Sequence, residues 1–210
     1  MSFSSLLHNI ADAEQGPKTC AVFDFDGTII SGYSATAFLK DQIARGEISP
    51  ADLVQLTQAT TRFGIGSLGF SALMAVHAQY LAGRSETDYI ANSERLFRRA
   101  IAKLIYPEAR QLIEAHRAAG HSIAIISSAT PYQVLPAAKD LGIEHVYATD
   151  LVVEDGQFTG GVVQPTCFGI GKVHAAERFL MQQGGDLENC FFYRASTILN
   201  CWKQQGARWC

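Results

Sequence analysis

The chain has no Cys-x-x-Cys pair. Its five cysteines (Cys20, Cys167, Cys190, Cys201 and Cys210) are odd in number and scattered, which argues against a disulfide framework or a thiolate zinc site and fits reduced thiols in a cytoplasm. No uninterrupted apolar run approaches the roughly 20 residues that cross a bilayer, so no membrane span is expected. Met1 to Gly16 holds no basic segment followed by an apolar core, and hence no secretory signal is expected. A basic excess is absent too. At a net charge of −3 there is no positive field for nucleic acid, so any anionic ligand must be held locally.

What is present is ordinary globular material. In 210 residues, 48% hydrophobic and 18% charged, there is enough for one full core, or a core with a smaller insert. The rest is organised around Cys20-Ala21-Val22-Phe23-Asp24-Phe25-Asp26-Gly27-Thr28-Ile29. An apolar strand of about 19–25 runs into two carboxylates, a glycine and a hydroxyl. Along a regular strand Asp24 and Asp26 would face the same way, and two like charges that close call for a cation or a shared proton. Asp-Gly between apolar runs also reads as a hairpin turn. Against that, Ser31-Gly32-Tyr33-Ser34 is loop-like and leads into helical sequence, leaving no second strand to pair.

Residues 3–14 place Phe3, Leu6, Leu7 and Ile10 at helical spacing, a short and weakly held helix ended by Gly16-Pro17. From Ser34 to about Leu104 helical blocks alternate with breakers and no strand is evident, too much for one crossover; an inserted helical cap is expected. After Tyr106-Pro107 helices and strands alternate: a helix over 108–119, a buried strand over 122–127, a helix over 131–141 and a strand over 145–149. A small hairpin about Glu154-Asp155-Gly156, a helix over 172–183 and a strand over 190–193 follow. This alternation predicts an α/β fold with a doubly wound parallel sheet, whose ligands bind at the carboxyl ends of the strands.

Asp24 and Asp26 end the first strand. Ser127-Ser128-Ala129-Thr130-Pro131 ends the second, where a hydroxyl and the free N–H groups of the next helix suit a phosphate oxygen; a simple helix cap at Ser128 accounts for the same residues. In Gly169-Ile170-Gly171-Lys172 the lysine opposes the helix dipole, which suggests a charge duty elsewhere, unless it is only solvated. Arg62, Arg84, Arg95, Arg98 and Arg99 either meet an anionic substrate or are solvated surface residues.

Phe23-Asp24-Phe25-Asp26-Gly27-Thr28, Ser128-Ala129-Thr130-Pro131 and Gly171-Lys172, in that order with a helical insert after the first, resemble the first three motifs of the haloacid dehalogenase (HAD) superfamily of phosphohydrolases, in its phosphoserine-phosphatase-like branch, subfamily IB. The resemblance covers Cys20 to about Tyr193. It implies a Rossmann-like core from 18–33 and 105–193, an all-helical cap from 34–104, an N-terminal extension at 1–17 and an aberrant tail at 194–210. It further implies that Asp24 attacks phosphorus to give an aspartyl-phosphate and that Asp26 is the general acid and base. Ser128 and Lys172 would grip the phosphoryl oxygens, with Gly27, Thr28 and Ala129 joining them in substrate binding. Mg²⁺ would sit on the Asp24 carboxylate and the Asp26 carbonyl. The implied substrate is a small phosphorylated, phosphoserine-like metabolite, acted on in the cytoplasm without nucleic acid or membrane span; no oligomeric state is implied.

The pattern breaks after Cys190-Phe191-Phe192-Tyr193. The family continues with an acidic Asp-Ser-x-x-Asp-Leu segment that completes the metal site, whereas no Asp or Glu occurs from Arg194 to Cys210. A shifted reading frame accounts for this. Joining the third base of each codon to the first two of the next forces Leu, Leu, Glu and Val at the junctions 200/201, 201/202, 202/203 and 209/210. The remaining junctions permit Asp-Leu-Glu-Leu-Leu-Glu-Ala-Ala-Gly-x-Pro-x-Val, the usual family continuation. Weak or absent activity is therefore expected of this chain, and a catalytically inactive phosphate-binding or interaction protein is the alternative. An acid from Asp186 or Glu188 would have to act from before the strand, at its wrong end.

Overall fold

The computed structural model describes residues 3–194. Four parallel strands form the central sheet in the order β3-β2-β1-β6: β1 (Cys20–Phe23), β2 (Ser122–Ile126), β3 (His145–Tyr147) and β6 (Cys190–Tyr193). Cys20 stands opposite both Ser122 and Cys190, and Phe23 opposite both Ile125 and Tyr193. The continuous apolar character of β1 has a direct cause. Ala21 and Phe23 enter one core, with Ile113 of α6 (Pro107–Ala118) and Val134 of α7 (Pro131–Leu141). Cys20 and Val22 enter another, with Val173 and Phe179 of α8 (Ile170–Gln183). Both faces are covered, so neither alternate set can be polar. The first helix, α1 (Phe3–Asp12), is held more firmly than its sequence suggests: Ile10 is 1% exposed, and the Gly16 N–H donates to the Ala119 carbonyl at 3.0 Å.

The insert carries α2 (Ser34–Ala44), α3 (Pro50–Gly64), α4 (Phe70–Leu81) and α5 (Glu86–Leu96). Ser49 and Ser85 cap α3 and α5 by accepting the N–H groups of Asp52 and Asp88, and Pro50 occupies the first turn of α3, where its missing N–H costs nothing. Beyond α5 the coil widens into a π-turn at Phe97–Ile101 and tightens to a 3₁₀ turn at Ala102–Leu104. The two ends of the insert meet: Ser31 N–H donates to the Leu104 carbonyl at 2.8 Å, and Tyr106 N–H to the Ile29 carbonyl at 2.9 Å.

A hairpin, β4 (Leu151–Glu154) and β5 (Gln157–Val162), crosses from the sheet side to the insert. Its Phe158 N–H donates to Arg84 O at 3.0 Å, and Gly83 N–H returns to Phe158 O at 2.8 Å. The Phe158 ring is 2% exposed, edge-on to Tyr89 and Tyr132. The helical insert is therefore tied to the sheet side by this hairpin as well as by its own two ends.

Candidate active site

β1 ends at Phe23, so the two carboxylates lie on the turn that follows rather than on the strand. Asp24 is still anchored to the sheet, its N–H donating to Tyr193 O at 2.9 Å. Thr28, Ile29 and Ile30 then all direct their N–H groups at the Phe25 carbonyl, a single coil and not a hairpin. Gly27 holds φ at +74° and donates to Gly32 O at 2.9 Å, a left-handed conformation that favours glycine.

Each carboxylate has its own partner. Asp24 Oδ1 lies 2.8 Å from Lys172 Nζ and accepts the Phe25 N–H at 2.8 Å. Asp26 instead accepts from Ser34, the N–H at 2.6 Å and the hydroxyl at 3.2 Å. Ser34, fully buried at the start of α2, in turn accepts from Gln133 Nε2 at 3.0 Å. Burial pushes the Asp26 carboxyl above the ordinary carboxylate range and the Asp24 charge adds to this, while the Ser34 bonds and Lys172 oppose it. Neither Ser34 nor Gln133 carries a recognisable signal in the sequence, because each acts through a partner that only the fold brings near.

At the end of β2, Thr130 is the cap of α7, with Gln133 Oε1 accepting its N–H at 2.9 Å in a capping box. Ser128 is thereby relieved of the capping role that its sequence allowed. It is half-buried and makes no hydrogen bond among the described residues. The Ala129 N–H is engaged by the buried Ser127 hydroxyl at 3.1 Å, so it meets a phosphate oxygen only in competition with Ser127. Thr28 Oγ1 is buried and has no hydrogen-bond partner among the described residues.

Lys172 sits in the first turn of α8 and is 7% exposed, far from a solvated surface lysine. Its position depends on Gly171, where a Cβ would fall 2.0 Å from the Thr166 carbonyl oxygen. Cys167, which follows Thr166, is buried within the fields of both Lys172 and Asp24; burial pushes its thiol up to about 11, which makes it inert. Phe168 follows and stacks on Phe70 of the insert, centroids 4.4 Å apart, with Phe63 edge-on to both. Ser71 Oγ and Thr166 Oγ1 lie 3.2 Å apart alongside.

Five of the six insert arginines are paired with carboxylates, although Arg98 and Arg99 stay largely exposed. Arg95 and Arg99, with Arg45, surround the buried Asp41; Arg84 pairs with Glu47 and Arg98 with Glu94. Arg62 is exposed and has no ion pair among the described residues.

On β6 the described chain ends at Arg194, close enough to Asp24 for their charges to attract, though burial pulls its pKa down. Asp186 accepts the Asn189 N–H at 2.9 Å before β6 begins, at the opposite end of the strand from Asp24. Apart from Arg194, the segment expected to be read in a shifted frame lies outside the described residues. Among the described residues no group of three or more His, Cys, Asp or Glu side chains is arranged around a metal position, and no helix is long and apolar enough to cross a membrane.

A family model for haloacid dehalogenase-like hydrolases matches residues 21–195. A Mycobacterium tuberculosis protein named as phosphoserine phosphatase SerB1 is 31% identical over 181 residues, 84% of this chain and 58% of that protein. A Neisseria meningitidis histidinol-phosphatase is 26% identical over 184 residues, 85% of this chain and 83% of that protein. The chain spans 58 to 63% of the length of several mycobacterial relatives it matches and 38% of another. Among solved structures, a Bordetella pertussis protein of unknown function superposes with a TM-score of 0.75 at 24% identity, covering 84% of this chain and 81% of that one.

Proposed function

Because the chain belongs to the haloacid dehalogenase-like hydrolase family, we propose that it is built to hydrolyse a small phosphomonoester through an aspartyl-phosphate. The observation that carries this is the separation of the two carboxylates: Asp24 against Lys172 at 2.8 Å, and Asp26 against Ser34 with its carboxyl pushed up. Two nearby acids in unlike settings suit a nucleophile and a proton donor. The 34–104 insert serves as the cap.

Asp24 attacks phosphorus with a carboxylate oxygen as the ester P–O bond breaks, and the Asp26 carboxyl gives its proton to the departing alkoxide. Asp26, now ionised, takes a proton from the water that attacks the aspartyl-phosphate; the P–O bond to Asp24 breaks and inorganic phosphate leaves. Lys172 offsets the charge that gathers on the phosphoryl oxygens, and Ser128 and Thr28 offer them hydroxyl donors. Gly27 keeps the turn tight enough for the phosphate to approach.

The donors fit the protein's half of a magnesium site: the Asp24 carboxylate and the Asp26 carbonyl are hard oxygens, and magnesium keeps several waters of its own. When bound there, it would further offset the negative charge of the carboxylate and the phosphoryl group. With no Asp or Glu from Arg194 to Cys210, we propose that the ion is held weakly in this chain. Arg194 beside Asp24 favours a second reading, in which two cations bind phosphate and turnover is slow or lost.

Exposure to an aryl phosphate with Mg²⁺, followed by borohydride reduction, converts an acyl-phosphate at Asp24 to homoserine, which peptide mass spectrometry locates. Conversion at Asp24, absent in Asp24→Asn, is expected. Phosphate release that persists in Asp24→Asn would refute the mechanism. Phosphate binding without release or conversion would favour the second reading.

A further inference from the structure

We propose that this site is shaped for a phosphomonoester with an apolar, preferably aromatic, body rather than for a zwitterionic amino-acid phosphate; this rests on the phosphate site described above. Five of the insert's six arginines are committed to carboxylates, while Lys40 and Lys103 are exposed and have no ion pair among the described residues. Asp41, 3% exposed, holds Arg45, Arg95 and Arg99, and Glu47 holds Arg84. These pairs fix α2 against α5 and the π-turn, and they leave Arg62 as the arginine of the insert with no ion pair among the described residues.

What the insert does bring to the phosphate end is aromatic. Phe63 from α3 and Phe70 from α4 close on Phe168, with ring centroids 4.4 to 5.9 Å apart. Phe168 opens the turn that carries Lys172: the Gly171 N–H donates to the Phe168 carbonyl at 3.0 Å, and the next residue, Lys172, reaches Asp24 Oδ1 at 2.8 Å. The rings therefore flank the loop that leads into Lys172 and not a remote surface. Phe168 remains 44% exposed and Ile170 58% exposed, and Ile65 at the end of α3 is 74% exposed. Large apolar groups that stay open next to a charged centre favour a ligand with a charged head and an apolar body. Stacking on Phe168 and Phe70 would cover them.

The test is calorimetric binding of non-hydrolysable phosphonates to the whole chain, so that slow turnover does not matter. Methylphosphonate reports the phosphate site alone, benzylphosphonate adds a ring, and 2-amino-3-phosphonopropanoate adds the zwitterion. We expect benzylphosphonate to bind about tenfold more tightly than either of the others, the effect of covering one ring. Phe168→Ala should cut the benzyl-to-methyl preference about tenfold, and Phe168→Leu should restore part of it. Equal affinities for benzyl and methyl, or tighter binding of the zwitterion that Arg62→Ala abolishes, would overturn the proposal while leaving the phosphate site intact. Failure of methylphosphonate and inorganic phosphate to bind would overturn both. A change in molecular mass by sedimentation with Phe168→Ala, without a change in preference, would assign the rings to self-association instead.

Discussion

Asp24 and Asp26 stand two residues apart yet should respond oppositely when neutralised. Lys172, 7% exposed, has the Asp24 carboxylate as its ion-pair partner, so Asp24→Asn leaves a buried ammonium poorly compensated and should cost about 3 kcal/mol. Asp26 is burdened by burial and by the Asp24 charge, and an amide oxygen can still accept the Ser34 N–H. Asp26→Asn should therefore abolish turnover and raise stability by about 1 kcal/mol, the usual trade at a strained site. Urea denaturation of both variants checks this, and equal stabilities would show that the pairing is not as drawn. Gly171→Ala makes a third residue-level case. Alanine is the better helix former by about 1 kcal/mol, yet its Cβ would meet the Thr166 carbonyl oxygen at 2.0 Å. A net loss of roughly 2 kcal/mol is expected, with Lys172 displaced; a raised melting temperature would show that the loop yields freely. The acid pair and Lys172 were legible because their types and order are unusual in a chain. Ser34, Gln133 and Phe168 were not, because an ordinary serine, glutamine and phenylalanine acquire their roles only from neighbours distant in sequence.

Elements were legible wherever periodicity and breakers agree. The apolar run of β1, the Gly120 stop after α6 and the turn at Asp155-Gly156 each record a local rule. Contacts between elements follow no local rule. His116 could be placed on the buried face of α6, but its partners lie elsewhere: His121 Nδ1 at 2.8 Å from its Nδ1, and Tyr193 Oη at 2.8 Å from its Nε2. With both imidazoles neutral, as burial favours, the chain of bonds fixes the protons. The Glu14 carbonyl can only accept, so His121 donates to it from Nε2 at 3.1 Å and accepts at Nδ1. His116 then donates from Nδ1 and accepts at Nε2, and Tyr193 donates. The facing Nδ1 atoms cannot both carry protons, so the two imidazoles cannot be charged together. Burial pulls His116 down to about 3 and His121 down as well. In the unfolded chain they take protons near pH 6.5, so between those limits the unfolded state binds more protons. Stability should be fully present above about pH 6.5 and fall as pH drops, by up to about 1.4 kcal/mol per unit for His116. His77, pulled by burial to about 4, adds to the slope. Denaturation midpoints between pH 4 and 7 should fall less steeply in His116→Leu; an unchanged slope would place the proton uptake elsewhere.

At the scale of the whole molecule, the order of elements gave the α/β architecture because each strand-helix alternation admits few arrangements once both sheet faces must be covered. The docking of β4 and β5 on the insert was not legible, since the Gly83–Phe158 bonds join segments far apart in the chain. Nor could the sequence show that Arg194 lies close enough to Asp24 for its charge to act there besides that of Lys172. That arrangement makes the metal the informative variable. If the acidic continuation is present in the coding DNA in another frame, restoring it adds carboxylates next to β6, beside Asp24. Magnesium should then bind the restored chain tightly. A ligand present at 100 times its dissociation constant stabilises by about 2.7 kcal/mol, so millimolar Mg²⁺ should raise the melting temperature of the restored chain by several degrees. The chain with Arg194-Ala195-Ser196-Thr197 after β6 should show little change, because at most one carboxylate and a carbonyl are offered and Lys172 already pairs with that carboxylate. Adding inorganic phosphate reverses the comparison: Lys172 and Arg194 should let the present chain bind it without magnesium. An equal magnesium response in the two chains would mean that the carboxylates missing after Tyr193 do not limit the metal site.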